Sequence, residues 1–152
     1  MSRSSDAIKK LSGKTLATAE SLTGGGIGSM LTAVPGSSAV YLGGVISYTN
    51  EIKAGVLGVS KDTLRTYGAV SGQVAGEMVS GVRKLLGSDV AVSVTGLAGP
   101  GGDEFGNPVG TVFIGYEDSN HHIVRKYRFE GDRETVRLQT IHAALELILE
   151  NN

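Results

Sequence analysis

The chain has 152 residues, of which 40% are apolar and 19% charged, and its formal net charge is -1. These values are typical of one folded domain with a single core and exclude a disordered chain. There is no basic excess of the kind that marks nucleic-acid binding, so we expect no nucleic-acid partner. Cysteine is absent, which excludes disulfides and cysteine nucleophiles.

The amino-terminal segment has no apolar signal region, and no apolar run reaches the roughly 20 residues that span a bilayer. We therefore expect a cytoplasmic protein without a membrane partner. We predict one domain over residues 1–152, with residues 1–6 frayed ahead of a short helix. Glycine accounts for 23 residues, about twice the average share of roughly 7%. Part of it is clustered, at 24–26 and 99–102, as expected where backbone approaches a ligand or turns tightly.

Hydrophobic periodicity and turn residues predict alternating strands and helices. The order is a strand at 14–19, a helix at 24–33, a strand at 41–48, short helices at 51–57 and 61–67, a longer helix from Ser71 to Gly87, strands at 89–95, 109–116 and 122–129, and a last helix from 131 or 132 to about 149. Ser60 and Ser71 have the position of N-caps. The pattern predicts a three-layer α/β/α domain with a mixed, mostly parallel sheet of about five strands.

The first candidate site follows the first strand, in the segment Thr18-Ala19-Glu20-Ser21-Leu22-Thr23-Gly24-Gly25. A serine at this point lies at the carboxyl edge of the sheet, where open α/β sheets bind ligands. Backbone N–H groups at the start of the next helix could stabilise an oxyanion or hold a phosphate. In the structural alternative, Ser21 or Thr23 only caps the helix and the glycines only form the turn.

The second candidate is the segment from Ser47 to Lys53, at the end of the second strand. A neutral lysine can accept a proton from a serine hydroxyl if burial or a cationic neighbour lowers its pKa. Tyr48 could relay that proton or hold Lys53 in place. In the alternative, Lys53 is a solvated surface lysine and Tyr48 is a strand-end tyrosine, and neither has a chemical role.

The third candidate is the glycine-rich segment that runs from Thr95 to Gly102 after the central strand. Its glycines suit a phosphate or ribose cradle, although the Gly-Lys-Ser/Thr ending of a Walker loop is missing. Arg133 and Arg137 form a fourth candidate, since they share a face of the last helix. We interpret Arg133 as solvated and prefer Arg137 as a ligand. No histidine spacing indicates a metal, so we expect neither a metal nor a cofactor.

Together, these segments resemble the CinA C-terminal domain family over most of the chain, from about residue 7 to residue 149. The resemblance rests on six motifs in order: Ala19-Glu20-Ser21-Leu22-Thr23-Gly24-Gly25, Ser47-Tyr48-x-Asn50-x-x-Lys53, Gly68-Ala69-Val70-Ser71, Thr95-Gly96-x-Ala98-Gly99-Pro100-Gly101-Gly102, Pro108-Val109-Gly110-Thr111-Val112 and Gly131-x-Arg133-x-x-Val136-Arg137. One departure is visible, because Leu22 stands where the family commonly has cysteine. The separate amino-terminal domain of many relatives has no counterpart in this sequence, so we expect the amidase domain alone.

The resemblance implies hydrolysis of the carboxamide of nicotinamide mononucleotide to nicotinate mononucleotide and ammonia. It implies a catalytic serine with a lysine–tyrosine pair, which correspond to Ser21, Lys53 and Tyr48. It implies a nucleotide-binding set made of Glu20, Thr23, Gly24, Gly25, Asn50, Thr95, Gly96, Ala98, Gly99, Gly101, Gly102 and Arg137. It also suggests a homo-oligomer. Two alternatives stay open, namely a catalytically silent nucleotide-binding or regulatory module, and an interaction domain without a small-molecule site.

Overall fold

The computed structural model describes residues 2–152, and within them it contains five strands and six α-helices. The strands are β1 (Leu16–Glu20), β2 (Tyr41–Ile46), β3 (Val90–Gly96), β4 (Thr111–Glu117) and β5 (His122–Arg128). The helices are α1 (Arg3–Lys10), α2 (Gly26–Thr32), α3 (Asn50–Gly55), α4 (Lys61–Tyr67), α5 (Gly72–Leu86) and α6 (Arg133–Glu150), and one 3-10 turn covers Ser37–Ala39.

Five helices begin at a side chain that accepts a hydrogen bond from the backbone of the first turn, the first of them being α1, which Ser2 caps. Thr49 caps α3, Ser60 caps α4, Ser71 caps α5 and Asp132 caps α6. Each oxygen satisfies an N–H group that has no partner inside the helix. The predicted N-caps at Ser60 and Ser71 are therefore confirmed.

The five strands form one mixed sheet in the order β2-β1-β3-β4-β5. β1 pairs in parallel with β2 and with β3, and the β3–β4 and β4–β5 pairs are antiparallel. Consequently β4 alone runs against the other four strands. The carboxyl ends of β2, β1 and β3 therefore lie side by side at one edge of the sheet.

The sheet lies between two helical layers, each with its own apolar core. α1, α2 and α6 pack on one face, where Leu16, Val92 and Ile114 contribute strand side chains to the core. The opposite core combines Ala17, Ala19 and the stripe of α5. Strand residues alternate between the two cores because successive side chains point to opposite faces. This confirms the predicted three-layer α/β/α architecture with a mixed sheet.

The first helix differs from the sequence-based expectation of a frayed segment over residues 1–6. Helix α1 begins at Arg3, with Ser4 and Ala7 buried, so the expectation is wrong for residues 3–6. Met1 lies outside the described residues. The helix is ordered because its apolar side packs on α6, where Arg3 donates to the carboxylate of Glu146. Lys14, just before β1, donates in turn to the side chain of Asn152.

Candidate active site

Ser21 lies immediately after β1, at the shared carboxyl edge of β2, β1 and β3. Its backbone N–H donates to the carbonyl of Val94 on β3, at 3.1 Å, which extends the parallel pairing by one residue. The chain then turns through residues 21–25 into α2, and Ser21 is 7% exposed. The serine hydroxyl is therefore held between the end of a buried strand and the start of a helix.

Lys53 of α3 reaches the Ser21 hydroxyl from the adjacent strand connection. Its Nζ lies 3.2 Å from Ser21 Oγ, 2.9 Å from the carbonyl oxygen of Ser47 and 3.3 Å from that of Tyr48. The side chain is 1% exposed, and its hydrogen-bond partners include no carboxylate. Burial therefore lowers the pKa of Lys53 from about 10.5 to about 8, because a charged ammonium loses hydration in this position.

Tyr48 contributes to this centre through its backbone rather than its side chain. The phenol ring is 58% exposed, and its oxygen accepts a hydrogen bond from Arg133 at 3.2 Å. The phenol makes no hydrogen bond to Ser21 or Lys53 in the described residues. Tyr48 thus holds Lys53 by its carbonyl group, whereas the expected relay through the hydroxyl has no corresponding contact.

A cleft of about 310 Å³ opens onto this serine–lysine pair. Thr95 is part of its wall, and its hydroxyl donates to the carbonyl of Ala69 at 2.7 Å. The predicted residues Asn50, Gly96, Ala98, Gly99 and Gly101 also line the cleft. Its full lining consists of Ser21, Leu22, Tyr48, Asn50, Lys53, Ala69, Val70, Thr95, Gly96, Leu97, Ala98, Gly99, Gly101 and Arg133.

Six residues of the predicted binding set are absent from this lining, and most support the turn after Ser21 instead. The Glu20 carboxylate accepts hydrogen bonds from the Thr23 hydroxyl and from the backbone N–H groups of Ile27 and Gly28. Gly24 and Gly25 have φ values of 59° and 98°, which favour glycine. A Cβ added to Gly102 would lie 3.0 Å from the carbonyl oxygen of Asn107. The sixth residue is Arg137.

The two arginines of α6 have roles different from those expected. Arg137 donates to the carbonyls of Leu22 and Thr23, at 2.9 and 3.2 Å, and so braces the turn after Ser21. Arg133 is exposed, as we interpreted it, but it also lines the cleft and donates to the carbonyl of Gly99 at 2.6 Å. The shared face of the two arginines was readable from the sequence, but their distance from the cleft was not.

A larger groove of about 870 Å³ continues from the cleft, with which it shares Asn50, Ala69, Val70 and Leu97. It runs between α3, α4 and the loop that carries Phe105. Within residues 2–152, no three histidine, aspartate or glutamate side chains cluster as metal ligands. No helix in the described part of the chain is long and apolar enough to cross a membrane.

The fold and the cleft define an α/β domain with a buried serine–lysine pair at the carboxyl edge of a mixed sheet. The family model of the CinA C-terminal domain matches residues 2–151. The chain therefore belongs to the CinA C-terminal domain family. A CinA-like protein of Thermotoga neapolitana is 52% identical over 133 residues, which are 88% of this chain and 32% of that relative. The chain thus spans about a third of the length of the curated relatives it matches.

Solved structures agree with this assignment over the whole fold. A CinA superfamily protein from Escherichia coli superposes with a TM-score of 0.96 at 34% identity, covering 99% of this chain and 88% of that one. A competence/damage-inducible protein from Agrobacterium tumefaciens gives a TM-score of 0.92 at 37% identity, with 100% and 98% coverage. The expected family and fold class are confirmed.

Proposed function

We propose that this protein hydrolyses the carboxamide of nicotinamide mononucleotide to nicotinate mononucleotide and ammonia, with Ser21 as nucleophile and Lys53 as its base. One observation carries the proposal, namely the 3.2 Å contact between Ser21 Oγ and a buried lysine whose pKa is lowered to about 8. A serine needs such a base to become nucleophilic near neutral pH. The substrate itself comes from the family resemblance.

Lys53 Nζ donates to three oxygens, and loss of one proton would leave a lone pair in place of one of these donors. A neutral amino group has two N–H donors and one lone pair. In the neutral form the carbonyls of Ser47 and Tyr48, which can only accept, keep the two donors, and the lone pair takes the position that faces the Ser21 hydroxyl. In this arrangement the lone pair points at the proton that the base must remove. The two carbonyls therefore orient Lys53 for proton transfer.

The reaction follows from this geometry. Lys53 takes the Ser21 proton as Oγ bonds to the carboxamide carbon, and the carbonyl oxygen becomes an oxyanion. The C–N bond then breaks, the Lys53 proton passes to the leaving nitrogen, and ammonia departs from an ester on Ser21. Water, deprotonated by Lys53, attacks that ester, and the proton returns to Ser21 Oγ as the carboxylate is released.

The turn after Ser21 supplies candidate donors for the oxyanion. The backbone N–H groups of Leu22 and Thr23 have no acceptor among residues 2–152, and Leu22 lines the cleft. Arg137 binds the Leu22 carbonyl and so restricts the peptide plane that carries the Thr23 N–H. The plane that carries the Leu22 N–H is held by the hydrogen bond from the Gly24 N–H to the Ser21 carbonyl. Donors fixed in this way before the reaction stabilise developing negative charge without reorganisation.

The decisive experiment measures ammonia release from nicotinamide mononucleotide by the intact protein and by Ser21→Ala. Ser29→Ala is a matched control, because Ser29 is an exposed serine on α2. We expect turnover by the protein and by the control, and none by Ser21→Ala although it remains folded and binds the nucleotide. Full activity in Ser21→Ala would refute the mechanism. Tight binding without turnover by the intact protein would favour the silent binding module instead.

We also propose that the chain forms a homo-oligomer through the open edge of β2. The two edges of the sheet differ, because β5 carries Arg125, Lys126 and Arg128, whereas β2 (Tyr41–Ile46) has no charged residue. Charged edge strands resist pairing with other strands, and an uncharged edge does not. Leu42 and Ile46 are 49% and 55% exposed on β2. Leu42→Lys should therefore shift sedimentation toward the monomer, and an unchanged mass would reject this interface.

A further inference from the structure

The charge distribution of the cleft shows which substrates it favours. Its lining contains two basic side chains, Lys53 and Arg133, and no aspartate or glutamate. The adjoining groove differs, since Glu51, Asp103 and Glu104 are part of its wall. When Lys53 is the neutral base, Arg133 supplies the one positive charge among the described residues of this lining, in a chain with a net charge of -1. An anionic group of a bound ligand is favoured there over the groove.

Arg133 is distinguished from most arginines of the chain by the nature of its partners. It donates two hydrogen bonds to neutral oxygens, those of the Gly99 carbonyl and the Tyr48 hydroxyl. No carboxylate among the described residues pairs with it. Four other arginines bind carboxylates, in the pairs Arg3–Glu146, Arg65–Asp62, Arg83–Glu117 and Arg125–Glu150. Arg133 therefore forms no direct ion pair within residues 2–152.

Arg137 also lacks a carboxylate partner, but its donors are committed elsewhere. It binds the carbonyls of Leu22 and Thr23, and it does not line the cleft. Replacing those contacts by a ligand would release the turn that carries Ser21. Arg133 can exchange its partners without that loss, since Tyr48 is exposed and Gly99 belongs to a loop.

We propose that Arg133 is a specificity-determining residue that selects substrates carrying an oxyanion, such as a phosphate monoester, beyond the reacting amide. The inference rests on the proposed amidase function and deepens it. The guanidinium of Arg133 binds the oxyanion through two parallel N–H donors, which is the geometry that arginine offers to phosphate. In doing so it releases the Gly99 carbonyl and the Tyr48 hydroxyl. The bridge from Tyr48 through Arg133 to Gly99 is thereby replaced by substrate.

The test compares nicotinamide mononucleotide with nicotinamide riboside, which has the same amide and ribose but no phosphate. We expect the intact protein to prefer the mononucleotide in kcat/KM. Arg133→Gln should reduce that preference about 10- to 100-fold, the range for a charge-assisted bidentate contact. Arg133→Lys keeps the charge but loses the two parallel N–H donors, so its preference for the mononucleotide should lie between those of the intact protein and Arg133→Gln. Arg137→Gln is the matched control and should lower turnover of both compounds by the same factor.

Binding measurements separate failure of this inference from failure of the amidase function. Calorimetry with both compounds is performed on Ser21→Ala with and without Arg133→Gln, where no turnover interferes. A phosphate-dependent affinity that disappears with Arg133 supports the inference even if the intact protein releases no ammonia. Equal affinity for both compounds, or an equal loss for both in Arg133→Gln, overturns it. If neither compound releases ammonia, the amidase proposal is overturned, whereas the inference about Arg133 is still decided by the binding measurements.

Discussion

Glu20 and Ser21 are consecutive residues whose side chains point to the two opposite helical layers of the domain. The Glu20 carboxylate faces α2 and accepts three hydrogen bonds at the start of that helix. The Ser21 hydroxyl faces Lys53 of α3 on the other side of the sheet. The alternation of side chains along a strand produces this division. A buried carboxylate thus fixes the turn that presents the serine.

Replacing Glu20 by Gln is the first test of this division. The variant keeps the size of the side chain, but its amide offers one acceptor oxygen to three donors. We expect the free energy of unfolding in urea to fall by about 1–3 kcal/mol, the cost of leaving buried donors unsatisfied. Glu134→Gln, an exposed glutamate in the first turn of α6, should change it by less than about 0.5 kcal/mol. Equal effects of both changes would contradict the role of Glu20.

The pKa of Lys53 predicts how the proposed amidase activity depends on pH. The base acts as a neutral amine, and its pKa is lowered to about 8. Accordingly, kcat/KM should rise about tenfold per pH unit below that value and level off above it. Ammonia release measured between about pH 6 and 9.5 gives the profile, which buffers of different chemical type should reproduce. A flat profile through this range would exclude Lys53 as the base.

The same lysine predicts a pH dependence of stability. The unfolded chain keeps the Lys53 proton up to an ordinary pKa near 10.5, whereas the folded protein releases it near 8. Unfolding therefore takes up a proton between these values, and the free energy of unfolding rises as pH increases through this window. Relative to Lys53→Met, the intact protein should gain about 3 kcal/mol between about pH 7 and 10.5. Parallel urea titrations of both proteins over this window measure the difference, and a constant difference would contradict it.

Two helical glycines make a matched pair for testing how α3 is placed. A Cβ added to Gly81 of α5 would overlap the carbonyl oxygen of Leu57, just beyond α3, whereas one added to Gly55 meets nothing within 4 Å. We expect Gly81→Ala to destabilise the fold by about 1–3 kcal/mol and to lower activity, since α3 carries Lys53. Gly55→Ala should be neutral or stabilising by up to about 1 kcal/mol. Thermal unfolding and turnover of both variants provide the comparison.

Tyr48→Phe distinguishes a proton relay from a role in holding Arg133. The change removes the phenol oxygen that Arg133 contacts but leaves the carbonyl that binds Lys53. We expect less than about a tenfold effect, mainly on KM, and an unchanged pH midpoint. A relay would instead cost about 100-fold or more in kcat. Tyr67→Phe, at an exposed tyrosine of α4, is the control.

Local patterns were sufficient to predict much of this fold. Ser60 and Ser71 were recognisable as caps, and the predicted span 61–67 coincides with α4. The strand predicted to reach residue 48 ends at Ile46, because the carbonyls of Ser47 and Tyr48 bind the amino group of Lys53. That ending depends on a side chain that lies across the sheet edge, which no local pattern reveals.

The site was predictable in part for a topological reason. Ser21 and Lys53 follow neighbouring parallel strands, so their meeting at one edge of the sheet was expected, and the structure places them in contact. The contributions of Arg133 and Arg137 were not predictable, because both lie on one face of α6. Which of them reaches the cleft depends on how α6 docks along the sheet. Periodicity defines the face of a helix but not its position along its own axis.

The contact between α1 and α6 has a consequence for engineering the chain. Arg3 lies against Glu146, and Lys14 against Asn152, so both ends of the domain meet near the amino ends of the strands. Ser21 and Thr95 lie at the carboxyl ends of β1 and β3, on the far side. A fused partner can therefore extend from either terminus without covering the cleft. A circular permutant that joins the termini by a short linker and opens the turn between β4 and β5 would keep every segment of the cleft intact.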